Sequence, residues 1–184
     1  MIKHVISALA IATVSLTAAA TEVNIVTNQG TITVNLNEDA APKTVTNFLR
    51  YVDDGFYSNT IFHRVMPGFM VQGGGFTPTL ERKDTYKAVA YEGDNNLYND
   101  RGTISMARTQ DPNSATSQFF INHIDNAFLN HSARGYGYTV FGKVTAGMDV
   151  VDKIAKIPTQ TVGPYQNVPT KNVIIEKVVR TDGL

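Results

Sequence analysis

The sequence predicts a mainly β fold, a closed antiparallel β-barrel covered by two α-helices. Three observations carry this expectation. Short β-branched runs recur from Val23 to Val179, separated by turn residues. Only two stretches, around Val45–Val52 and Val151–Ile154, have helical spacing. The chain is 184 residues long, enough for one domain with a substantial core, and no linker, repeat or low-complexity tract divides it after residue 20.

Residues 1–20 differ from the rest. Lys3 gives a short positive start, Val5–Thr17 is apolar apart from Ser and Thr, and Ala18-Ala19-Ala20 precedes Thr21. This pattern predicts a cleavable signal peptide at 1–20, too short to span a membrane, followed by a single domain at 21–184. Its form suggests a bacterial periplasmic protein. There is no cysteine, which suits an oxidising compartment and leaves no thiol to accept lipid. No second apolar stretch is long enough to span a bilayer, so stable membrane insertion is not expected. Charge is balanced, with 16 Lys+Arg and 16 Asp+Glu, and no basic stripe points to nucleic acid.

Val23–Val26 and Thr31–Leu36, separated by Asn28-Gln29-Gly30, predict a hairpin. Ile32, Val34 and Leu36 alternate with polar residues, so one face meets a core. Pro42 suits the first turn of a helix whose apolar face is Val45, Phe48, Leu49 and Val52, and Gly55 stops it. Asp53 and Asp54, just before that stop, are expected to face solvent. Phe76–Asn99 is polar and predicts a long surface excursion, with a brief strand at Val89–Tyr91. Further strands are expected at Thr103–Ala107, Gln118–Ile121, Tyr138–Val144 and Val173–Val179. Phe128 and Leu129 fall on a turn, and Met148–Ile157 forms the second helix.

The candidate chemistry lies in Thr60–Gly75, TIFHRVMPGFMVQGGG. Strand alternation predicts Ile61, His63 and Val65 on one face, with Phe62, Arg64 and Met66 on the other. After the Pro67-Gly68 turn, Met70 and Gln72 share a face. Arginine is rarely buried unpaired, so Arg64 is expected at the mouth of an apolar surface, where Gln72 can hold its guanidinium. Gly73-Gly74-Gly75 lacks the spacing and following helix of a phosphate loop, and predicts a tight bend or close backbone approach.

Other chemistries lack their patterns. His63, His123 and His131 form no close-spaced ligand set, so no metal or cofactor is expected. His63 and His123 are expected to be structural strand residues donating local hydrogen bonds, and His131 a loop residue in solvent. Ser105 and Ser117 lack a nucleophile elbow, and there is no thiolate. One fixed cation, apolar surfaces and amides suit binding and distorting a neutral substrate better than breaking a bond.

Several ordered blocks resemble the cyclophilin-type peptidyl-prolyl cis-trans isomerases, particularly their exported bacterial branch. They are FHRVMPGFMVQGG at Phe62–Gly74, ISMAR at Ile104–Arg108, SQFFIN at Ser117–Asn122, FLN at Phe128–Asn130 and YTVFGKV at Tyr138–Val144. The resemblance implies an eight-stranded antiparallel barrel with a helix at each end and an active site on its outer surface. It implies a catalytic Arg64 partnered by Gln72, above a proline pocket of Phe69, Met70, Phe120 and Leu129. Ala107, Arg108 and Gln118 fall on the positions for substrate backbone and a neighbouring pocket.

Phe128 and Tyr138, at the pocket edge, stand where the best-studied eukaryotic members carry tryptophan and histidine. That tryptophan helps bind cyclosporin, so weak or no cyclosporin binding is expected. Arg108 replaces a common asparagine whose role uses mainly the backbone. The implied partners are proline-containing peptides and newly exported or unfolded proteins, bound by a monomer. The alternative is a non-catalytic peptide-binding chaperone using the same groove.

Overall fold

The computed structural model describes residues 21–181, and the signal peptide expected at 1–20 lies outside the described residues. β1 (Glu22–Thr27) and β2 (Gly30–Leu36) form the expected hairpin, registered from Glu22 opposite Asn35 to Thr27 opposite Gly30. After α1 (Pro42–Asp53) come β3 (Thr60–Met66), β4 (Met70–Gly73), β5 (Thr103–Met106), β6 (Phe119–Asn122) and β7 (Val140–Ala146). Next follow α2 (Met148–Ala155), β8 (Thr159–Val162), β9 (Tyr165–Pro169) and β10 (Ile174–Arg180). The order β1-β10-β3-β4-β6-β5-β7-β2 closes on itself as an eight-stranded antiparallel barrel. β8 and β9 form a separate two-stranded sheet that the sequence reading did not anticipate.

Side chains fill the barrel. Ile32, Val34 and Leu36 alternate into the core as expected and are wholly buried. α1 buries Val45, Phe48, Leu49 and Val52, the predicted face. Its Phe48 ring lies 5.3 Å from Tyr57, 5.7 Å from Phe119 and 5.2 Å from Phe141. α2 ends at Ala155 and buries Val151 and Ile154 into the same core. Each large apolar side chain so buried contributes roughly 1.5–3 kcal/mol.

The 76–99 excursion is anchored more firmly than its polarity suggests. Val89 makes a single bridge to Ala115 and no strand runs on to Tyr91. The Tyr86 N–H donates to Tyr51 Oη at 2.9 Å, and Asn99, at the end of the excursion, is fully buried. Glu92 supplies what α1 lacks. Ala41 at the N-cap has no side-chain oxygen, so the first N–H groups of the helix need another acceptor. The Glu92 carboxylate accepts from Lys43 N–H at 3.1 Å and Thr44 N–H at 2.8 Å, and from Thr44 Oγ1 at 2.7 Å. Its negative charge also suits that end of the helix dipole. Glu92→Ala should therefore cost about 1–2 kcal/mol of stability in urea unfolding; an unchanged midpoint and slope would contradict this cap.

Candidate active site

Strand register sets the candidate side chains in one row. Arg64 lies opposite Gln72 across β3 and β4, and Gln72 opposite Phe120 across β4 and β6. Two residues along, Met66, Met70 and Asn122 form a second row. Between these rows Val65, Val71 and Ile121 turn into the barrel core.

Strict alternation put Phe62 on the same face as Arg64, and the structure corrects this. The ladder steps from Phe62–Gly73 to Arg64–Gln72, so β3 carries one extra residue, His63, as a β-bulge. Phe62 and Val65 consequently both face the core, while Arg64 is turned outward.

Met70, Phe120 and Leu129 form a buried cluster separate from the barrel core, with Met66, Phe69, Ala107 and Tyr138 packed against it. Arg64, Gln72 and Arg108 join most of these side chains around a cleft of about 180 Å³ on the outer barrel wall. Leu129 is delivered by a short 3-10 turn, Ala127–Leu129. Its carbonyl accepts the Tyr138 N–H at 2.9 Å, and the Tyr138 ring stands edge-on to Phe120 with centroids 5.5 Å apart. Two predicted residues stand outside the cleft lining. Gln118 lies behind it, accepting from Gln72 Nε2 at 3.1 Å. Phe128 is 75% exposed and stacks on the outer side of Phe69 at 5.6 Å.

The glycine run serves this arrangement. Gly74 has φ +82°, a left-handed turn. A Cβ on Gly75 would fall 2.5 Å from Gln118 Cγ, so a side chain there would displace Gln118 from Gln72.

Arg64 is lightly held. Its Nη1 donates to Gln72 Oε1 at a long 3.4 Å, and among the described residues no carboxylate lies within salt-bridge distance. The guanidinium has five N–H donors, so most remain available to a bound molecule. Arg108 differs. Its side chain donates to the carbonyls of Gly137 at 3.0 Å, Tyr136 at 2.7 Å and Thr109 at 2.8 Å, and lies 4.7 Å over the Tyr138 ring. It fastens the loop that carries Tyr138.

Two of the histidines, His63 and His123, depart from expectation. His63 is buried and its Nδ1 has no hydrogen-bond partner. Burial, with the nearby Arg64 charge, pushes its pKa down to about 4. The unfolded chain therefore takes up this proton before the folded one. Stability contributed by neutral His63 is full above about pH 6.5 and falls as pH drops toward 4, by about 3 kcal/mol. Asp53, whose pKa the Arg180 hydrogen bond lowers, acts only below that window. Urea unfolding of His63→Phe between pH 4 and 6.5 should show a flatter slope than wild type; parallel slopes would contradict the assignment.

His123 sits just past β6. Its Nδ1 accepts from Gly68 N–H at 3.0 Å, and its Nε2 lies 3.1 Å from Asp152 Oδ1. His131 is exposed as expected, with its Nδ1 3.1 Å from Tyr91 Oη. A second cleft of about 300 Å³, lined by Asn35, Asn37, Tyr98, Asp100 and Lys143 among others, has no arginine.

The closed, filled eight-stranded barrel with its two helices matches the fold implied by the sequence blocks. The family profile described as cyclophilin type peptidyl-prolyl cis-trans isomerase/CLD matches residues 22–180. The chain belongs to this cyclophilin family. Peptidyl-prolyl cis-trans isomerase A of Dickeya dadantii (strain 3937) is 57% identical over 156 residues, covering 85% of this chain and 82% of that protein. Peptidyl-prolyl cis-trans isomerase B of Escherichia coli (strain K12) is 55% identical over 155 residues, covering 83% and 94%. The crystal structure of a Cryptosporidium parvum cyclophilin type peptidyl-prolyl cis-trans isomerase is similar with a TM-score of 0.77 at 32% identity, covering 88% of this chain and 97% of that one. This cyclophilin is accordingly an enzyme, a peptidyl-prolyl cis-trans isomerase acting on X-Pro peptide bonds.

Proposed function

We propose that this cyclophilin is exported, binds prolines of newly exported or unfolded proteins in the Arg64 cleft, and accelerates their rotation by favouring the twisted amide. Resonance gives a peptide C–N bond a rotational barrier of roughly 18–20 kcal/mol. In the twisted state the prolyl nitrogen becomes pyramidal and regains its lone pair. An Arg64 N–H directed at that nitrogen interacts more strongly with the twisted amide than with the planar one, which is the requirement for catalysis. Rotation breaks no σ bond, so the chemistry asks for no nucleophile.

The observation that carries this reading is the lightly held guanidinium of Arg64 above the buried Met70–Phe120–Leu129 cluster. That cluster and Phe69 would hold the pyrrolidine ring, and backbone groups near Ala107 and Arg108 the preceding residue. Gln72, tied to Gln118, would aim the guanidinium. Phe128 and Tyr138 support weak or no cyclosporin binding, and we take the working form to be a monomer.

Backbone amide shift mapping with a short Ala-Pro peptide tests the site. The largest shifts should fall at Arg64, Phe120 and Tyr138; shifts centred on Asn35 and Lys143 would move the site to the other cleft. Export rests on the pattern of residues 1–20. The protein recovered from a periplasmic fraction should begin at Thr21, and an intact Met1 would contradict it.

A further inference from the structure

Behind the pocket lies a cluster of amide side chains that the proposed chemistry does not use. Asn99, Asn122 and Asn126 are 0%, 0% and 1% exposed. We propose that Asn99 is a positioning residue for isomerisation, fixing the loop-borne half of the proline pocket against the half carried by the barrel strands. The inference rests on the pocket reading above.

The two halves are held by different means. Met70, Gln72, Phe120 and Arg64 stand on β3, β4 and β6, and the ladder registers them. Leu129, Tyr138 and Phe69 stand on a 3-10 turn and on loops, where no ladder acts. The backbone groups of such segments, once buried, still need partners. Backbone bonds meet part of that need, the Tyr138 N–H to the Leu129 carbonyl and the His123 N–H to the Phe69 carbonyl. Asn99 adds the bonds that tie these segments to the sheet. Its Nδ2 donates to the Leu129 carbonyl at 3.1 Å, the Tyr138 carbonyl at 3.4 Å and Asn130 Oδ1 at 3.1 Å.

The opposite end of the same amide faces the sheet. Asn99 Oδ1 accepts from Ser105 Oγ at 2.7 Å and Asn122 Nδ2 at 3.2 Å, and Ser105 is the β5 residue opposite Phe120. The Asn99 carbonyl accepts the Asn126 N–H at 2.8 Å. Asn126 Nδ2 then donates to the Phe69 carbonyl at 2.9 Å and to Asn122 Oδ1 at 2.7 Å. One residue thus joins the backbones of Leu129, Tyr138 and, through Asn126, Phe69 to the strands beneath Phe120. Carbonyls only accept, so the NH₂ end of Asn99 must face Leu129 and Tyr138. Of its near-isosteres, aspartate lacks the donor and leucine lacks both functions.

This division predicts which kinetic constant changes. Loss of the Asn99 donor should disturb the loop-borne wall and leave Arg64 on its strand, so KM should rise and kcat should hold. Asn99→Asp turns a carboxylate oxygen on two carbonyls, and KM for a short Ala-Pro peptide should rise about tenfold with kcat within about threefold. Val151→Ala in α2, remote from the network, supplies the comparison. It should lower the unfolding midpoint with KM unchanged, separating positioning from general destabilisation. An unchanged KM in Asn99→Asp, or an equal rise in Val151→Ala, would overturn the proposal.

Should Asn99→Asp fail to fold, Asn126→Ala decides. It cuts only the branch to Phe69 and Asn122, and KM should rise about threefold; an unchanged KM would overturn the role of the network. Phe120→Ala keeps the two readings apart. If Phe120→Ala raises KM and Asn99→Asp does not, only the role of Asn99 falls, whereas an unchanged KM in Phe120→Ala removes the pocket itself.

Discussion

Arg64→Ala should lower turnover of an X-Pro peptide about a hundredfold or more while changing its affinity less than about threefold. The apolar cluster of Met70, Phe120 and Leu129 does not depend on the guanidinium, so a planar peptide should still find its pocket. The donors aimed at the prolyl nitrogen would be gone. Half-buried Arg64 makes one long hydrogen bond, to Gln72, so its removal should leave the barrel folded. Arg64→Lys should recover only part of the loss, because an ammonium lacks the planar fork. Protease-coupled isomerisation gives turnover, and calorimetric titration gives affinity. Wild-type turnover in the folded Arg64→Ala variant would remove this residue from the mechanism.

Phe120→Ala should act on the other constant. Phe120 is buried beside Gln72 in the ladder and under the edge-on ring of Tyr138. It is the one aromatic ring of the buried Met70–Phe120–Leu129 cluster that lines the cleft. Losing its contact with a pyrrolidine ring, at about 2 kcal/mol, corresponds to roughly thirtyfold weaker peptide binding. The cavity should also cost about 3 kcal/mol of stability, so binding must be compared at a temperature where circular dichroism shows both proteins folded. Peptide affinity equal to wild type would place the proline elsewhere.

The barrel was largely legible because its signals are local. Alternation in Ile32, Val34 and Leu36 and the 3,4 spacing of Val45, Phe48, Leu49 and Val52 each report a buried face from consecutive residues alone. Phe62 was misplaced because a bulge belongs to a strand pair, and the skipped position at His63 is defined by Gly73 and Gln72 across the ladder. The three glycines announced a close approach, but only folding showed Gln118 as its partner. Asn99 ends a polar run that reads as surface. Its burial depends on carbonyls at Leu129 and Tyr138, 30 and 39 residues on, which composition does not encode. The β8–β9 hairpin escaped for a related reason, since its largely solvent-facing residues carry no apolar alternation.

The candidate site rests on a set of sequence blocks, while the different hydrogen bonding of its members became visible only in the fold. Gln72 was expected to hold the Arg64 guanidinium, and Arg108 had a place only through the resemblance, at a position used mainly for its backbone. In the fold, Arg108 spends its donors on the carbonyls of Gly137, Tyr136 and Thr109, whereas Arg64 keeps most of its own unspent.

The most direct test compares two ligands on two proteins: a planar Ala-Pro peptide, and an analogue whose prolyl amide is locked perpendicular with a pyramidal nitrogen. Arg64→Ala should bind the planar peptide as wild type does, and lose affinity for the twisted analogue by about the same factor as its turnover. Equal losses for both ligands, or no loss for the twisted one, would show that Arg64 does not act by selecting the rotated amide.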